Sequence, residues 1–292
     1  MGIGPGVLAL YALMRRDGLF DKVNRIFELG AQAIYCQDNE QAVLNLFDAF
    51  GVAPPEPQEV KKLAEGASAR ALFERLGMEY WSLDASGEYG ALSWDLNFDE
   101  CAPEHRGQYQ LVTNHGTTEH VLNQLNCFKI VHDLAARGGL MMHAVPFLSY
   151  VDHGYFNYQP NFFVDLAKAN GYEMLGMWIR IDPKFSHFIP WERGLEKYLQ
   201  CGAGDSDLLV LFRKTIDEEF GVPFQGFWVD RVPETVLRRY RYVGDGQVIR
   251  GRRGLLLPLE DAIGQIPGRR LLLEVRRRLL RRLWMMLRGM AV

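Results

Sequence analysis

The stretch LMMHAVPF, residues 140–147, restricts the fold more than any other in the chain. It is apolar almost without interruption and lacks period-two alternation, so as a strand it needs cover on both faces. Such strands belong in mostly parallel sheets flanked by helices. Its surroundings supply the rest: a strand at 23–28 (VNRIFE), a helix over 39–51 closed by Gly51, and a break at APPEPQ. A second helix over 58–76 follows, then a strand at 78–84 (MEYWSLD) and a short one at 90–97 (GALSWDLN). Next come a strand at 109–116 (YQLVTNHG), a helix over 117–135 that Thr117 or Thr118 could cap, a helix over 160–172 and a strand at 173–182. The pattern predicts an α/β, Rossmann-like fold: a mostly parallel sheet with helices on both faces.

At 292 residues the chain can bury a large core. Its net charge of −3 hides a division: residues 231–292 hold 15 arginines against 5 acids, a net of +10, while residues 1–230 carry −13. Two parts are therefore expected, a Rossmann-like domain over 1–230 and a basic, helical C-terminal extension over 231–292. Within the extension, residues 268–290 set Leu272, Val275, Leu279, Leu283 and Met286 on one helical face among arginines. Such a helix can lie on an anionic membrane surface; packing against the acidic body or a second copy of the chain is the rival reading. Nucleic acid is not an expected partner, because a groove-reading motif is missing and the body is acidic. The 4 cysteines are widely spaced, which argues against a disulfide framework or zinc ribbon. No stretch reaches the ~20 apolar residues of a membrane span, and Arg15 and Arg16 follow the first apolar run, the reverse of a signal peptide. A cytoplasmic protein is expected, peripheral at the inner face of the membrane if the basic helix docks there.

In a parallel sheet, ligands sit beyond the carboxyl ends of the strands, where Glu28, Asp84, Asp95 and His115 would all fall. Together these strand ends resemble the class I S-adenosylmethionine-dependent methyltransferases. FELGAQ looks like their first motif, the acid of WSLD like the ribose-binding residue and SWDLN like the adenine loop. LVTNHGTTEHVLNQLN and RGGLMMHAVPF look like the fourth strand, its helix and the fifth strand, so the resemblance covers roughly residues 23–180. It is closest to a bacterial subgroup associated with surface polysaccharide or glycolipid assembly, in which a TTEH helix and a later HGxxNxxP segment recur; the latter is here DHGYFNYQP, residues 152–160.

The resemblance implies O-methylation of a saccharide or glycolipid hydroxyl, with S-adenosylmethionine as cofactor. Glu28, Gly30, Gln32, Asp84, Asp95, Leu96 and Asn114 form the implied cofactor set. The chemistry suits these types: a carboxylate such as Asp84 can take both ribose hydroxyls, Asp95 the adenine amino group, and an acidic strand end such as Glu28 a sulfonium. A single glycine suffices where no pyrophosphate must approach a helix N-terminus.

Methyl transfer to a hydroxyl needs close approach, exclusion of water and a base. His153 is the preferred base, in an aromatic loop after the fifth strand; Asp152 orients it or serves instead, and His115 ranks second. Glu119, His120, Tyr155, Asn157, Tyr158 and Gln159 are candidate acceptor contacts, since aromatic faces beside amides suit a sugar ring. His132 and His143 read as structural. A metal site drawn from Asp152, His153, His115 or Glu119 would normally show an H-x-x-x-H or H-x-D pair; neither occurs, and no metal is expected. Two alternatives stay open: a non-catalytic binding or assembly module on an eroded fold, and a metal-dependent hydrolase.

Overall fold

The computed structural model describes residues 2–37, 39–181, 188–191 and 205–240. Three short strands, β1 (Gly2–Ile3), β3 (Ala33–Tyr35) and β4 (Glu65–Ser68), form a small sheet in the order β1-β3-β4. The central sheet has seven: β2 (Arg25–Leu29), β5 (Glu79–Leu83), β6 (Tyr109–His115), β7 (Ala135–Leu148), β8 (Tyr172–Ile181), β9 (Phe188–Pro190) and β10 (Ser206–Lys214). Its order is β5-β2-β6-β7-β10-β8-β9. The first four run parallel; β10 is antiparallel to both β7 and β8, and β9 is antiparallel to β8. Chain order reverses at β2, with β5 on one side and β6 on the other, so the switch point of this Rossmann-like sheet lies at the end of β2.

The helices are α1 (Pro5–Arg16), α2 (Glu40–Phe50), α3 (Pro57–Ala64), α4 (Ala69–Arg75), α5 (Gln124–Leu134), α6 (Pro160–Asn170) and the short α7 (Glu234–Leu237). They cover both faces, and β2 shows how. Phe27 and Leu29 join Phe128, Val131 and Leu134 of α5 in one core. On the other face Glu28 meets Tyr80, whose ring stacks on Phe73 of α4 at 5.8 Å, and Tyr11 of α1 meets Phe73 edge-on at 5.5 Å. Strand alternation sorts neighbouring residues into two different interiors.

Several elements depart from the sequence pattern. The expected helix over 58–76 is α3 and α4 with β4 between them: Glu65 and Ser68 pair with Tyr35 and Ala33, and the Ser68 hydroxyl caps α4 by accepting from Ala71 N–H at 3.2 Å. The expected strand at 90–97 is reduced to one bridge, Leu83 to Leu92. The helix expected from 117 begins at Gln124, capped by Asn123, after a 3-10 turn over Thr118–His120. α1, β3 and β10 were not anticipated. Of the basic extension only residues 231–240 are described, and the amphipathic segment 268–290 lies outside the described residues. Among the described residues no helix is long and apolar enough to cross a membrane.

Phe163 sits among aromatic rings in the core. It is fully buried on α6, with rings of His143, Phe162 and Phe212 at 5.3, 5.1 and 6.2 Å. Phe163→Ala should cost about 3–5 kcal/mol, read as a lower urea midpoint at unchanged slope.

Candidate active site

A cleft of about 420 Å³ opens at the switch point, between the carboxyl ends of β2, β5 and β6 and the loop at 94–97. Strand register builds it: Leu29 is paired with Leu83 and with Asn114, so Gly30, Asp84 and the turn after His115 emerge at one level. Gly30, Gln32, Asp84, Asp95, Leu96 and His120 from the sequence-based set all line it. Trp94, Ala31 and Thr117, absent from that set, line it too. Trp94 lay in the quoted SWDLN segment but carries no charge to draw notice.

Gly30 has φ +85°, and a Cβ there would lie 2.3 Å from Thr117 Oγ1 and 2.8 Å from Gln32 Nε2. Only glycine fits under these two side chains. Thr117 donates to Leu29 C=O at 2.7 Å, and Gln32 Nε2 donates to Thr117 Oγ1 at 3.2 Å. Gln32 Oε1 is buried at this rim without a partner among the described residues. Asp84 accepts from Ala31 N–H at 3.0 Å and, on its other oxygen, from Ser86 N–H and hydroxyl at 2.9 and 2.7 Å. Burial opposes ionisation of Asp84, but these hydrogen bonds outweigh it and hold the carboxyl below its ordinary value. Asp95 uses Oδ1 to accept from Asn97 N–H and Nδ2 at 2.8 and 3.1 Å.

Beside the cleft, Glu119, His120 and His153 converge. The Nε2 atoms of His120 and His153 stand 3.9 and 3.7 Å from Glu119 Oε1, and the two rings are 5.1 Å apart. Glu119 is 0% exposed, and among the described residues neither of its carboxylate oxygens accepts from another residue; His153 Nε2 is likewise buried and has no partner there. Two sequence segments are interlocked here. Glu119 C=O accepts from Tyr155 and Phe156 N–H at 2.8 and 3.2 Å, and a Cβ at Gly154 would stand 3.0 Å from Glu119 Cγ. The glycine of the HG pair lets the loop rest on the TEH turn.

That loop is strained. Ser149, Tyr150 and Asp152 have φ of 62°, 52° and 57°, each costing on the order of 1–3 kcal/mol. Tyr150 is held by its N–H to Asp205 at 3.1 Å and its hydroxyl to Asp207, which also accepts from Arg180 Nε at 2.8 Å. His153 is thereby fixed against Glu119.

Four sequence-based assignments need correction. Glu28 does not reach the cleft; it is enclosed between β5 and β6, where Tyr80 donates to one oxygen and Thr113 to the other at 3.2 Å. Asn114 is buried and spends its side chain on structure, donating to Thr118 Oγ1 at 2.9 Å and accepting from the Thr117 and Thr118 N–H groups at 3.3 Å. His115 is buried against Tyr11, whose hydroxyl it meets through Nε2, and does not line the cleft. Asp152 is exposed in its left-handed conformation and makes no hydrogen bond to His153 among the described residues; the carboxyl facing His153 is that of Glu119. Asn157, Tyr158 and Gln159 line a second cleft of about 460 Å³ with Phe156 and Phe162, whereas Tyr155 is 74% exposed and lines neither.

No family model matches the sequence, and no curated protein does. Among solved structures the chain is similar to the O-methyltransferase of a trans-AT polyketide synthase multienzyme of Brevibacillus brevis, solved with S-adenosyl-L-homocysteine. The two are 9% identical over 73% of each chain, with a TM-score of 0.38. It is also similar to a SAM-dependent methyltransferase from Archaeoglobus fulgidus, 12% identical over 70% of this chain and 93% of that one, with a TM-score of 0.38.

Buried titratable groups surround the site, and their signs oppose. Burial drives the Glu28 carboxyl from 4.5 up to about 8 and that of Glu119 to about 7, so each binds a proton in the folded state that the unfolded chain releases. Their contribution to stability is complete below about 4.5 and is lost as pH rises through about 7 to 8. Burial drives His115 and His143 from 6.5 down to about 3, so the unfolded chain binds protons that the folded one does not. Their contribution is complete above about 6.5 and is lost as pH falls toward 3. Urea unfolding across pH should therefore show a plateau between about 4.5 and 6.5, with stability falling on both sides. Glu28→Gln should flatten the alkaline limb and leave the acid limb unchanged; a limb as steep as that of the unsubstituted protein would clear Glu28 of this role.

Proposed function

We propose that the protein is an S-adenosylmethionine-dependent methyltransferase acting on a hydroxyl of a saccharide or glycolipid. The observation that carries the reading is the ionised Asp84 at the end of β5, level with the Gly30 turn and facing one cleft with Asp95 and Trp94. Among the described residues two carboxylates and no lysine or arginine line that cleft, an acceptor set suited to hydroxyls, an amino group and a cation rather than phosphates. Asp84 keeps acceptor capacity beyond its three hydrogen bonds and would take ribose hydroxyls. Trp94 and Leu96 give the adenine an apolar wall, and Asp95 Oδ2 has no partner among the described residues. The buried, unpartnered Gln32 Oε1 would accept from the ammonium of the methionine end.

Bound S-adenosylmethionine supplies an electrophilic methyl group whose carbon–sulfur bond breaks as the acceptor oxygen bonds to carbon. The acceptor proton leaves at the Glu119, His120 and His153 cluster, which His120 joins to the cleft. The strained loop keeps His153 from turning to solvent, so its orientation is set before the acceptor arrives. Phe156, Asn157, Tyr158 and Gln159 along the second cleft, aromatic faces beside amides, are the proposed sugar contacts. A glycolipid acceptor would also give the leucine and arginine pattern at 268–290 a purpose, holding the chain at an anionic membrane.

Isothermal titration with S-adenosylhomocysteine is the test: one equivalent should bind, and failure of the folded protein to bind it would end the reading. Asp84→Asn should weaken binding about 10- to 100-fold, the ~1.5–3 kcal/mol of hydrogen bonds to a charged acceptor. His153→Ala should leave that affinity unchanged while slowing transfer of labelled methyl to a glycolipid and polysaccharide fraction by about 10²–10⁴. Binding without any transfer would favour a non-catalytic module on this fold.

A further inference from the structure

We propose that Glu119, His120 and His153 bind a divalent transition-metal ion of the zinc class, leaving coordination positions open toward the cleft. Each offers one ligand atom, and the three atoms lie within 4.8 Å of one another. The separations of 3.7 and 3.9 Å from the imidazole nitrogens to Glu119 Oε1 are too wide for hydrogen bonds. They are close to those of groups sharing an ion: with bonds of about 2.0–2.1 Å, tetrahedral neighbours stand about 3.3 Å apart. The two pairs that include Glu119 would reach that spacing by closing about 0.4 and 0.6 Å.

A second observation is independent of spacing. Glu119 is fully enclosed, yet among the described residues neither oxygen accepts from another residue, and His153 Nε2 facing it is also buried without a partner there. Three such atoms are costly without a ligand and are satisfied together by one cation.

Two imidazoles and a carboxylate form a borderline ligand set, suited to zinc and its neighbours and poor for calcium or magnesium. The backbone holds the site ready: Glu119 C=O fixes the 153–156 loop, and Gly154 lets that loop sit close enough to bring His153 opposite the carboxyl. His120 lies on the cleft wall, so the open positions face the space where a hydroxyl would arrive. The use of the ion rests on the methyltransferase reading: it would polarise the acceptor hydroxyl and lower its pKa, and the proton would pass to Glu119 Oε2, the carboxylate oxygen left free by the ion. The site itself does not depend on that reading.

The test is titration of the chelator-treated full-length protein with Zn²⁺, and with Co²⁺ as a spectroscopic probe, without S-adenosylmethionine. One equivalent of Zn²⁺ should bind, and Co²⁺ should give visible absorption bands of a site with nitrogen and oxygen ligands. Glu119→Gln, His120→Ala and His153→Ala should each weaken Zn²⁺ binding by more than about 100-fold, beyond the loss of an outer-shell partner. Failure of the unsubstituted, folded protein to bind, or equal binding by His120→Ala and His153→Ala, would overturn the site. Metal binding with no affinity for S-adenosylhomocysteine would uphold the site and defeat the functional reading; the reverse result would do the opposite.

Discussion

The side chain of Asn114 holds the functional end of the molecule together. Buried at the end of β6, it accepts from the Thr117 and Thr118 N–H groups, donates to Thr118 Oγ1 and meets His143 Nδ1 at 3.3 Å. Its partners propagate the constraint. Thr117, fixed by the turn, reaches Leu29 C=O and closes over Gly30; Thr118 bonds to the Tyr158 hydroxyl at 2.8 Å; Glu119 receives the 153–156 loop. The cleft floor, Tyr158 of the second cleft and the histidine loop thus share one anchor. An amide suits the position because it offers two N–H donors and two acceptor lone pairs from one rigid plane.

This end of the sheet carries costs that the rest of the core must offset. Glu28, His115, Glu119 and His143 are all enclosed, and three non-glycine residues of the loop after β7 are left-handed. The offset is local and aromatic: Phe128, Phe163 and Phe212 surround His143, while Tyr11, Phe73 and Tyr80 enclose Glu28 and His115 from the other face. The two groups differ in consequence. Glu28 is satisfied by Tyr80 and Thr113, which makes it a structural residue; Glu119 has no such partners among the described residues, which leaves it available for chemistry.

The same contrast explains how far the sequence could be read. The mostly parallel sheet and the place of Asp84 and Asp95 at its carboxyl edge followed from apolar runs ending in acids, because parallel strands send their ends to one edge, while Gly30, Gln32 and Leu96 of the cleft came from the resemblance alone. Glu28 and His115 were misplaced because α1, a short apolar run that reads equally as a buried segment, was not recognised as a helix; once it packs there, their face of the sheet is closed. The pairing of Glu119 with His153 leaves no periodic trace, since it depends on a loop crossing a turn from a distant part of the chain. Its signal was the glycine of DHGYFN, whose missing Cβ matters only once Glu119 is known to lie beneath it.

The turn after β2 shows why a single glycine is enough. In a dinucleotide site that turn runs straight into a helix whose N-terminal N–H groups hold a pyrophosphate, and further glycines admit it. Here the chain leaves Gly30 and enters β3, and α2 begins only at Glu40. No helix N-terminus therefore directly follows the turn, and the place of a second glycine is filled by Gln32, whose amide packs over Gly30 and closes the approach that a phosphate would need. What the turn offers instead is an unpartnered amide oxygen at Gln32, beside the ionised Asp84 that Ala31 N–H holds in place. The departures from the glycine pattern exchange anion-binding capacity for acceptors, and a ligand bearing hydroxyls and positive charge is the kind such a turn can hold.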